Sequence, residues 1–161
     1  MIVVSNASPI MNLACVGHLE LLQQLYGSVI IPGAVYREIT VSGAGEAGAA
    51  EVQALEWIQV REVADRALAT SLQIELDEGE AEAVALAVEL KADLLLVDER
   101  RGRAVAARLG LTVIGLLGVL VEAKHQGYLP AIKPVLDALL VQAGFWVSQQ
   151  LYSYVLQVAG E

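Results

Sequence analysis

Apolar positions along the chain alternate between short β-branched runs and longer segments with helical spacing. The apolar runs cover residues 2–5, 28–31, 93–97 and 111–114. Short, nearly continuous runs of this kind are typical of strands that are buried on both faces of a sheet. Helical periodicity is clearest from Asp77 to Lys91 and from Arg100 to Leu109, where Gly110 ends the pattern. Strands that alternate with helices predict an α/β fold in three layers, with a central, mostly parallel twisted sheet covered on both faces.

Three further segments carry local signals. Ser8 and Pro9 follow the first strand and predict a helix that Ser8 caps and Pro9 begins. The stretch Val41–Ala50 contains three glycines and is predicted to be a mobile loop. Residues 57–63 alternate only in part, and Arg61 within them favours an exposed edge strand.

Length and composition describe a soluble protein with one core. The chain has 161 residues, of which 56% are hydrophobic, which fits a single domain over residues 1–161. Residues 145–161 are predicted to form a C-terminal packing or interface helix, with Leu151, Tyr154 and Val158 on one apolar stripe. The uncharged stretch 138–160 is interrupted by polar residues, so we expect no membrane-spanning helix. No signal peptide is evident and Cys15 is the only cysteine, so we expect a cytoplasmic location.

The acidic balance limits how the protein meets nucleic acid. The formal net charge is −9, which argues against electrostatic capture of nucleic acid by the whole surface. Two ways of binding nucleic acid remain compatible with this charge: a local basic patch, and a carboxylate site that binds phosphates through bound cations.

Polar residues stand where active sites form in open α/β sheets, beyond the carboxyl ends of the strands. Asn6 follows the first strand and Asp98 follows the strand at 93–97. Glu80 shares a stripe with residues that face the sheet, and Glu38 lies at the border of a buried face. Glu82 is rotated away from Glu80 and is expected to point mostly into solvent.

These acids have two interpretations. Each one taken singly is more often structural, since acids favour the first turn of a helix and a strand-end Asp is often a helix cap. Several converging on one sheet edge would repel one another unless a cation neutralised them. Oxygen ligands of this type suit Mg²⁺ or Mn²⁺, and such a site can support hydrolysis of phosphodiesters.

The order of these motifs resembles that of PIN domains. A strand leads into Asn6-Ala7-Ser8, followed by Pro32 and Glu38, then by Gly79-Glu80-Ala81-Glu82-Ala83, and last by a strand that ends at Asp98. The pattern is similar to a prokaryotic, DUF3368-like branch related to VapC-type toxin ribonucleases. The resemblance covers Ile2 to about Gly144.

The resemblance implies a divalent-metal-dependent endoribonuclease of toxin–antitoxin type. It places Asn6, Glu38, Glu80 and Asp98 at the catalytic and metal-binding positions, and Ser8 where a Ser or Thr supports the first acid. It also implies RNA as substrate, a homodimer, and a cognate antitoxin as protein partner.

Asn6 departs from the family pattern, which has an Asp at this position. An amide oxygen can still bind a hard cation but contributes no negative charge, so metal affinity and activity are expected to fall. The alternative hypothesis is therefore a catalytically weak or inactive PIN-like module that binds nucleic acid or protein.

Basic and aromatic residues complete the set of candidates. Arg100, Arg101 and Arg103 follow Asp98 and fit two roles equally, a solvated helix face or a phosphate-contacting surface. The aromatic residues are not interleaved with basic ones, and we interpret them as core or interface residues. They are Trp57, Phe145, Trp146, Tyr152 and Tyr154.

Overall fold

A five-stranded parallel sheet forms the centre of the structure, a computed structural model that describes residues 1–161. Its strands are β1 (Val3–Ser5), β2 (Val29–Ile31), β3 (Ile58–Val60), β4 (Leu94–Leu96) and β5 (Val113–Ile114). They lie in the order β3-β2-β1-β4-β5, and every neighbouring pair is parallel. The predicted strands and the α/β fold class are confirmed, and β3 lies at the edge, as the alternation at residues 57–63 predicted.

Ten helices flank the sheet. They are α1 (Ala7–Cys15), α2 (Glu20–Tyr26), α3 (Gly33–Arg37), α4 (Ala49–Ala54), α5 (Arg66–Leu72), α6 (Glu78–Leu90), α7 (Arg100–Arg108), α8 (Leu116–His125), α9 (Lys133–Gln142) and α10 (Gln149–Val158). The helices predicted at 77–91 and 100–109 are confirmed as α6 and α7. Helix α5 was not predicted, because its seven residues bury only Ala69 and Leu72 and so carry little periodicity.

The chain reverses its direction across the sheet between β1 and β4. From β1 it passes to β2 and β3 on one side, and it then crosses back to β4 and β5 on the other. Right-handed crossovers place helices on opposite faces for the two directions of travel. Ser5 pairs with Leu96, so the residues that follow β1 and β4 meet at one edge. This reversal is where open α/β sheets form their binding crevice.

Helix α1 begins earlier than predicted. The predicted cap at Ser8 is wrong, because Asn6 occupies the N-cap position with extended backbone and Ala7 is the first helical residue. Pro9 is accommodated in the first turn, where backbone N–H groups have no partner within the helix. The Ser8 hydroxyl is buried and has no hydrogen-bond partner.

Helix α6 is buried almost all round. Every residue from Ala81 to Ala87 is buried, because α3 and α5 cover the helix in addition to β1 and β4. The prediction that Glu82 points into solvent is therefore wrong: the residue is 1% exposed. Its carboxylate accepts a hydrogen bond from Ala34 N at 3.0 Å and pairs with Arg66 Nη1 at 2.9 Å.

The C-terminal helix packs with only part of its apolar stripe. Val155 is buried, and α10 lies against α8. Leu151, Tyr154 and Val158 are 41%, 62% and 44% exposed, so most of the predicted stripe faces outward. Every helix of the structure is too short or too polar to cross a lipid bilayer.

Candidate active site at the carboxyl ends of the strands

Asn6 is held rigidly at the end of β1. Its N–H donates to Leu96 O at 2.9 Å across the reversal point, and the residue is 4% exposed. The side chain makes no capping hydrogen bond to α1. A β-carbon placed on Gly79 would lie 3.7 Å from Asn6 Oδ1, so the amide faces the start of α6.

Glu38 reaches the same place from a distorted helical turn. After α3 the backbone widens into a π-helical turn over Glu38–Ser42, closed by a hydrogen bond from Gly43 N to Glu38 O at 2.9 Å. Single π-helical turns are frequent at functional sites. A β-carbon on Gly79 would lie 2.6 Å from Glu38 Oε1 and would displace this carboxylate from its present position. Burial, followed by the nearby charges of Asp77 and Glu99, raises the pKa of Glu38.

The glycine-rich segment is shorter than predicted. Of the predicted loop over Val41–Ala50, the first two residues belong to the π-helical turn and the last two to α4. Residues 43–48 form turns between them. The chain that follows Glu38 is therefore mostly in turns and helix.

Glu80 lies in the first turn of α6. Its N–H donates to Asp77 Oδ1 at 2.8 Å, and Asp77 thereby caps the helix. The carboxylate rests against α7, where a β-carbon on Gly102 would lie 3.0 Å from Glu80 Oε2. Burial, together with Asp77 and the charge of Glu99, raises the pKa of Glu80 to about 7.

Asp98 follows β4 and is bound at one oxygen only. Asp98 Oδ1 accepts a hydrogen bond from Leu116 N at 2.7 Å, at the start of α8. Asp98 Oδ2 is buried and has no partner. Burial is the main reason that the pKa of Asp98 is raised, and the Leu116 N–H and the Arg103 charge act in the opposite direction. A buried carboxylate oxygen without a partner is costly unless a proton or a cation meets it.

Two further acids border the site and were not among the predicted site residues. The charges of Asp77 and Glu99 act on both Glu38 and Glu80. The indications of these two acids in the sequence were weak. Asp77 precedes Glu80 by three residues, which is the spacing of a helix cap, and Glu99 directly follows the strand-end Asp98.

The side chains approach one another without closing around a single point. No group of three or more acidic, histidine or cysteine side chains lies close enough to hold one metal ion. The donors are nevertheless of the right kind for a hard cation: carboxylate and amide oxygens, one of them buried and unpaired. A cavity of about 410 Å³ lies between Glu38, Asp77 and Gly79 and leaves room in which the carboxylates can turn.

The arginines of α7 have different partners. Arg101 Nη1 donates to Glu75 O at 3.1 Å and Arg108 pairs with Glu75 at 2.7 Å, so both are engaged at one exposed acid. Arg103 Nη1 donates to Val97 O at 3.2 Å, beside Asp98. Arg100 is exposed. Of the three predicted phosphate-binding arginines, Arg103 is the one that lies directly against the site.

Comparison with known proteins identifies the family. The family model that matches residues 2–161 describes a PIN domain, the DUF3368 family. A search of curated proteins gave no match. PIN domains have a nuclease fold and generally depend on divalent metal ions, which agrees with oxygen donors gathered beyond β1 and β4. The match extends over almost the whole chain, and the protein therefore belongs to the DUF3368 family of PIN domains.

Proposed function

We propose that this protein is a divalent-metal-dependent endoribonuclease of toxin–antitoxin type. The observation that carries the proposal is Asp98 Oδ2, buried without a partner at the sheet edge where Asn6, Glu38 and Glu80 also lie. All three acids of this set have raised pKa values, because burial and, after it, repulsion from the nearby charge of Glu99 disfavour their charged forms; Asp77 adds to this repulsion at Glu38 and Glu80. A bound Mg²⁺ or Mn²⁺ relieves this repulsion.

Each side chain has a defined part in the proposed reaction. Glu38, Glu80 and Asp98 hold the cation, and Asn6 contributes a neutral oxygen. The cation, when bound, neutralises phosphate charge and favours ionisation of a water molecule. The water oxygen would form a bond to phosphorus while the bond from phosphorus to the leaving ribose oxygen breaks. The proton lost by the water would pass to a bordering carboxylate that does not hold the cation, and the leaving oxygen would take up a proton from solvent. Arg103 holds the phosphate, with Arg100 and Arg101 further along the RNA. For Ser8 to support Asn6, its hydroxyl, which has no hydrogen-bond partner in the structure, would have to turn towards the amide.

The second candidate function is a PIN-like module that binds nucleic acid or protein without turnover. The neutral side chain at Asn6 and the absence of a closed three-acid group favour it. It predicts weak metal binding and no gain in activity when an Asp is placed at position 6.

The experiment is cleavage of RNA with Mn²⁺ by the wild type, Asp98→Asn and Asn6→Asp. We expect Asp98→Asn to lower kcat/KM by about 100-fold or more, since changes to groups that merely orient a ligand already cost roughly 10- to 100-fold. Asn6→Asp adds a charged ligand and is expected to raise kcat/KM by about tenfold.

Asp93→Asn is the matched control. Asp93 stands at the opposite end of β4 and, like Asp98, accepts a backbone hydrogen bond, from Ile2 N at 2.6 Å. The control is expected to cleave like the wild type. Equal background cleavage by all the proteins would refute the nuclease proposal and leave the binding module.

Further proposals concern the whole chain. Residues 1–161 act as one PIN-like domain in the cytoplasm, and residues 145–161 provide a packing or interface helix. The exposed part of the α10 stripe supports contact with a second copy in a homodimer or with a cognate antitoxin. Light scattering of the purified protein tests the homodimer: a mass of one chain at all concentrations would exclude it.

A further inference from the structure

A cavity of about 480 Å³ opens directly beside Asp98. Its lining includes Asp98 and Arg103 and, from the connection between α9 and α10, Phe145, Trp146 and Val147. Most of its remaining lining is apolar and comes from β5 and the start of α8. Its volume lies in the range of about 300–1,000 Å³ that is usual for small-molecule sites. The cavity therefore shares Asp98 with the candidate active site. Its lining is mostly apolar, whereas the active site consists mainly of carboxylates.

Trp146 is the most unusual residue of this cavity. It is 80% exposed, although tryptophan is a large apolar residue that is normally well covered. Trp146 lies in the connection between α9 and α10 and outside the core, so of the two interpretations made from the sequence, core or interface, the core is wrong for this residue. An exposed indole beside a charged site offers a flat surface on which a planar ring can stack.

The backbone around Trp146 is fixed at both ends. Phe145 N donates to Leu139 O at 3.1 Å, which ties the segment to the end of α9. Ser148 Oγ accepts a hydrogen bond from Leu151 N at 3.1 Å and so caps α10. Trp146 is thus presented from a short, anchored connection, which reduces the entropy lost when a ligand stacks on it.

Arg103 supplies the positive charge of the cavity. One of its guanidinium nitrogens donates to Val97 O, and the rest of the donor fork remains for a ligand. The cavity thus combines an aromatic and apolar wall with one arginine next to a strand-end acid. A nucleotide has the matching parts, a planar base and an adjoining phosphate.

We propose that this cavity binds one unstacked base of single-stranded RNA, with the base on Trp146 and its phosphate on Arg103. This inference deepens the proposed function and rests on it: the base pocket fixes which phosphodiester lies beside Asp98. Asp98 lines the cavity and also belongs to the candidate active site, where the proposed function places a phosphodiester, and this favours a nucleotide as the occupant over a protein side chain.

The test measures binding of a fluorescein-labelled 2′-O-methyl RNA octamer of mixed sequence, whose integrity after the measurement is checked by gel electrophoresis. Anisotropy is followed with EDTA and, separately, with Mn²⁺. Trp146→Ala is expected to weaken binding by about 5- to 100-fold, the range that corresponds to loss of one base–aromatic stack. Trp146→Phe is expected to restore most of the affinity. Tyr128→Ala, which removes another exposed aromatic ring outside this cavity, is expected to bind like the wild type.

Arg103→Gln tests the phosphate contact. It is expected to weaken binding and to reduce the dependence of log affinity on log salt by about 0.7, the value for one contact to a single strand. Arg108→Gln is the control on the same helix, since Arg108 is paired with Glu75. In a Trp57→Phe protein, where Trp146 is the remaining tryptophan, the octamer is expected to quench tryptophan fluorescence.

The outcomes separate this inference from the proposed function. Binding that depends on Trp146, without cleavage of ordinary RNA, supports the base pocket and overturns the nuclease. Cleavage and binding that are unchanged in Trp146→Ala overturn the base pocket and leave the nuclease intact. No binding by the wild type in either condition also overturns the pocket. An effect of Trp146→Ala on oligomer mass alone assigns the residue to a protein interface instead.

Discussion

At the residue scale, the site is a set of carboxylates whose surroundings oppose their own ionisation. Asp98 keeps one oxygen without a partner, and Glu38 and Glu80 are close to the charges of Asp77 and Glu99. Groups of this kind cost folding free energy when they are charged and no cation is present. The same repulsion favours the binding of a cation. The loss of stability without metal and the capacity to bind a metal ion therefore have one origin.

Glu80 carries a testable consequence for stability. Its pKa is raised from 4.5 to about 7, so the folded state favours the protonated form. The contribution to stability is present below about pH 4.5 and is lost as the pH rises through about 7. In EDTA, the free energy of unfolding of Glu80→Gln is expected to fall less than that of the wild type over this interval, as measured by urea titration at each pH.

The control is Glu56→Gln, which changes an exposed acid outside the cluster. Its pH dependence is expected to follow the wild type. Parallel curves for the wild type and Glu80→Gln would show that burial does not disfavour the Glu80 charge.

At the element scale, three helices meet at one buried carboxylate. Glu82 on α6 accepts the N–H of Ala34 at the start of α3 and the guanidinium of Arg66 on α5. These contacts hold α3, and with it the turn that carries Glu38, at a fixed position against α6. Buried pairs often add little net stability, and we expect this one mainly to fix the arrangement of the three helices.

Removing Arg66 should therefore be costly. Arg66→Ala leaves the Glu82 charge with one N–H partner, and we expect a loss of about 1–3 kcal/mol, below the full range for a buried pair because the arginine side chain is 54% exposed. Chemical denaturation measures the loss. Arg37→Ala breaks an exposed pair with Glu78, at 3.3 Å, and is expected to cost about 0.5 kcal/mol or less. Equal losses in the two variants would contradict a structural role for Glu82.

At the scale of the whole molecule, the net charge of −9 and the acid cluster act together. General screening by salt and specific binding of a cation would both stabilise such a protein, but only the second depends on the site. The sheet places that site at the reversal point between β1 and β4, where elements from distant parts of the chain meet.

Thermal unfolding with Mn²⁺ distinguishes the two effects. A cation at about ten times its Kd adds about 1.4 kcal/mol, which corresponds to a rise in Tm of roughly 3–6 °C for a chain of this size. Sodium chloride at the same ionic strength is expected to give a smaller rise. In Asp98→Asn the additional effect of Mn²⁺ should disappear, and an undiminished shift there would mean that the ion binds elsewhere.

The sequence by itself determined the layers of the fold and the position of two site residues, Asn6 and Asp98. Apolar runs and helical periodicity are local patterns. They identified strands β1, β2, β4 and β5, the edge position of β3, and helices α6 and α7. Parallel strands end at a common edge, so Asn6 and Asp98 could be placed together before any packing was known. The order of motifs added the family, which the match over residues 2–161 confirmed.

Only the tertiary structure decided which side chains face one another. Glu82 is buried because α3 and α5 cover a helix face that periodicity assigned to solvent. Arg101 donates a hydrogen bond to Glu75, which lies on a distant segment of the chain, whereas Arg103 donates to Val97 beside the site. Trp146 is exposed beside Asp98 because α9 and α10 hold it there. Each outcome depends on contacts between segments far apart in the chain, which a local pattern of residues does not encode.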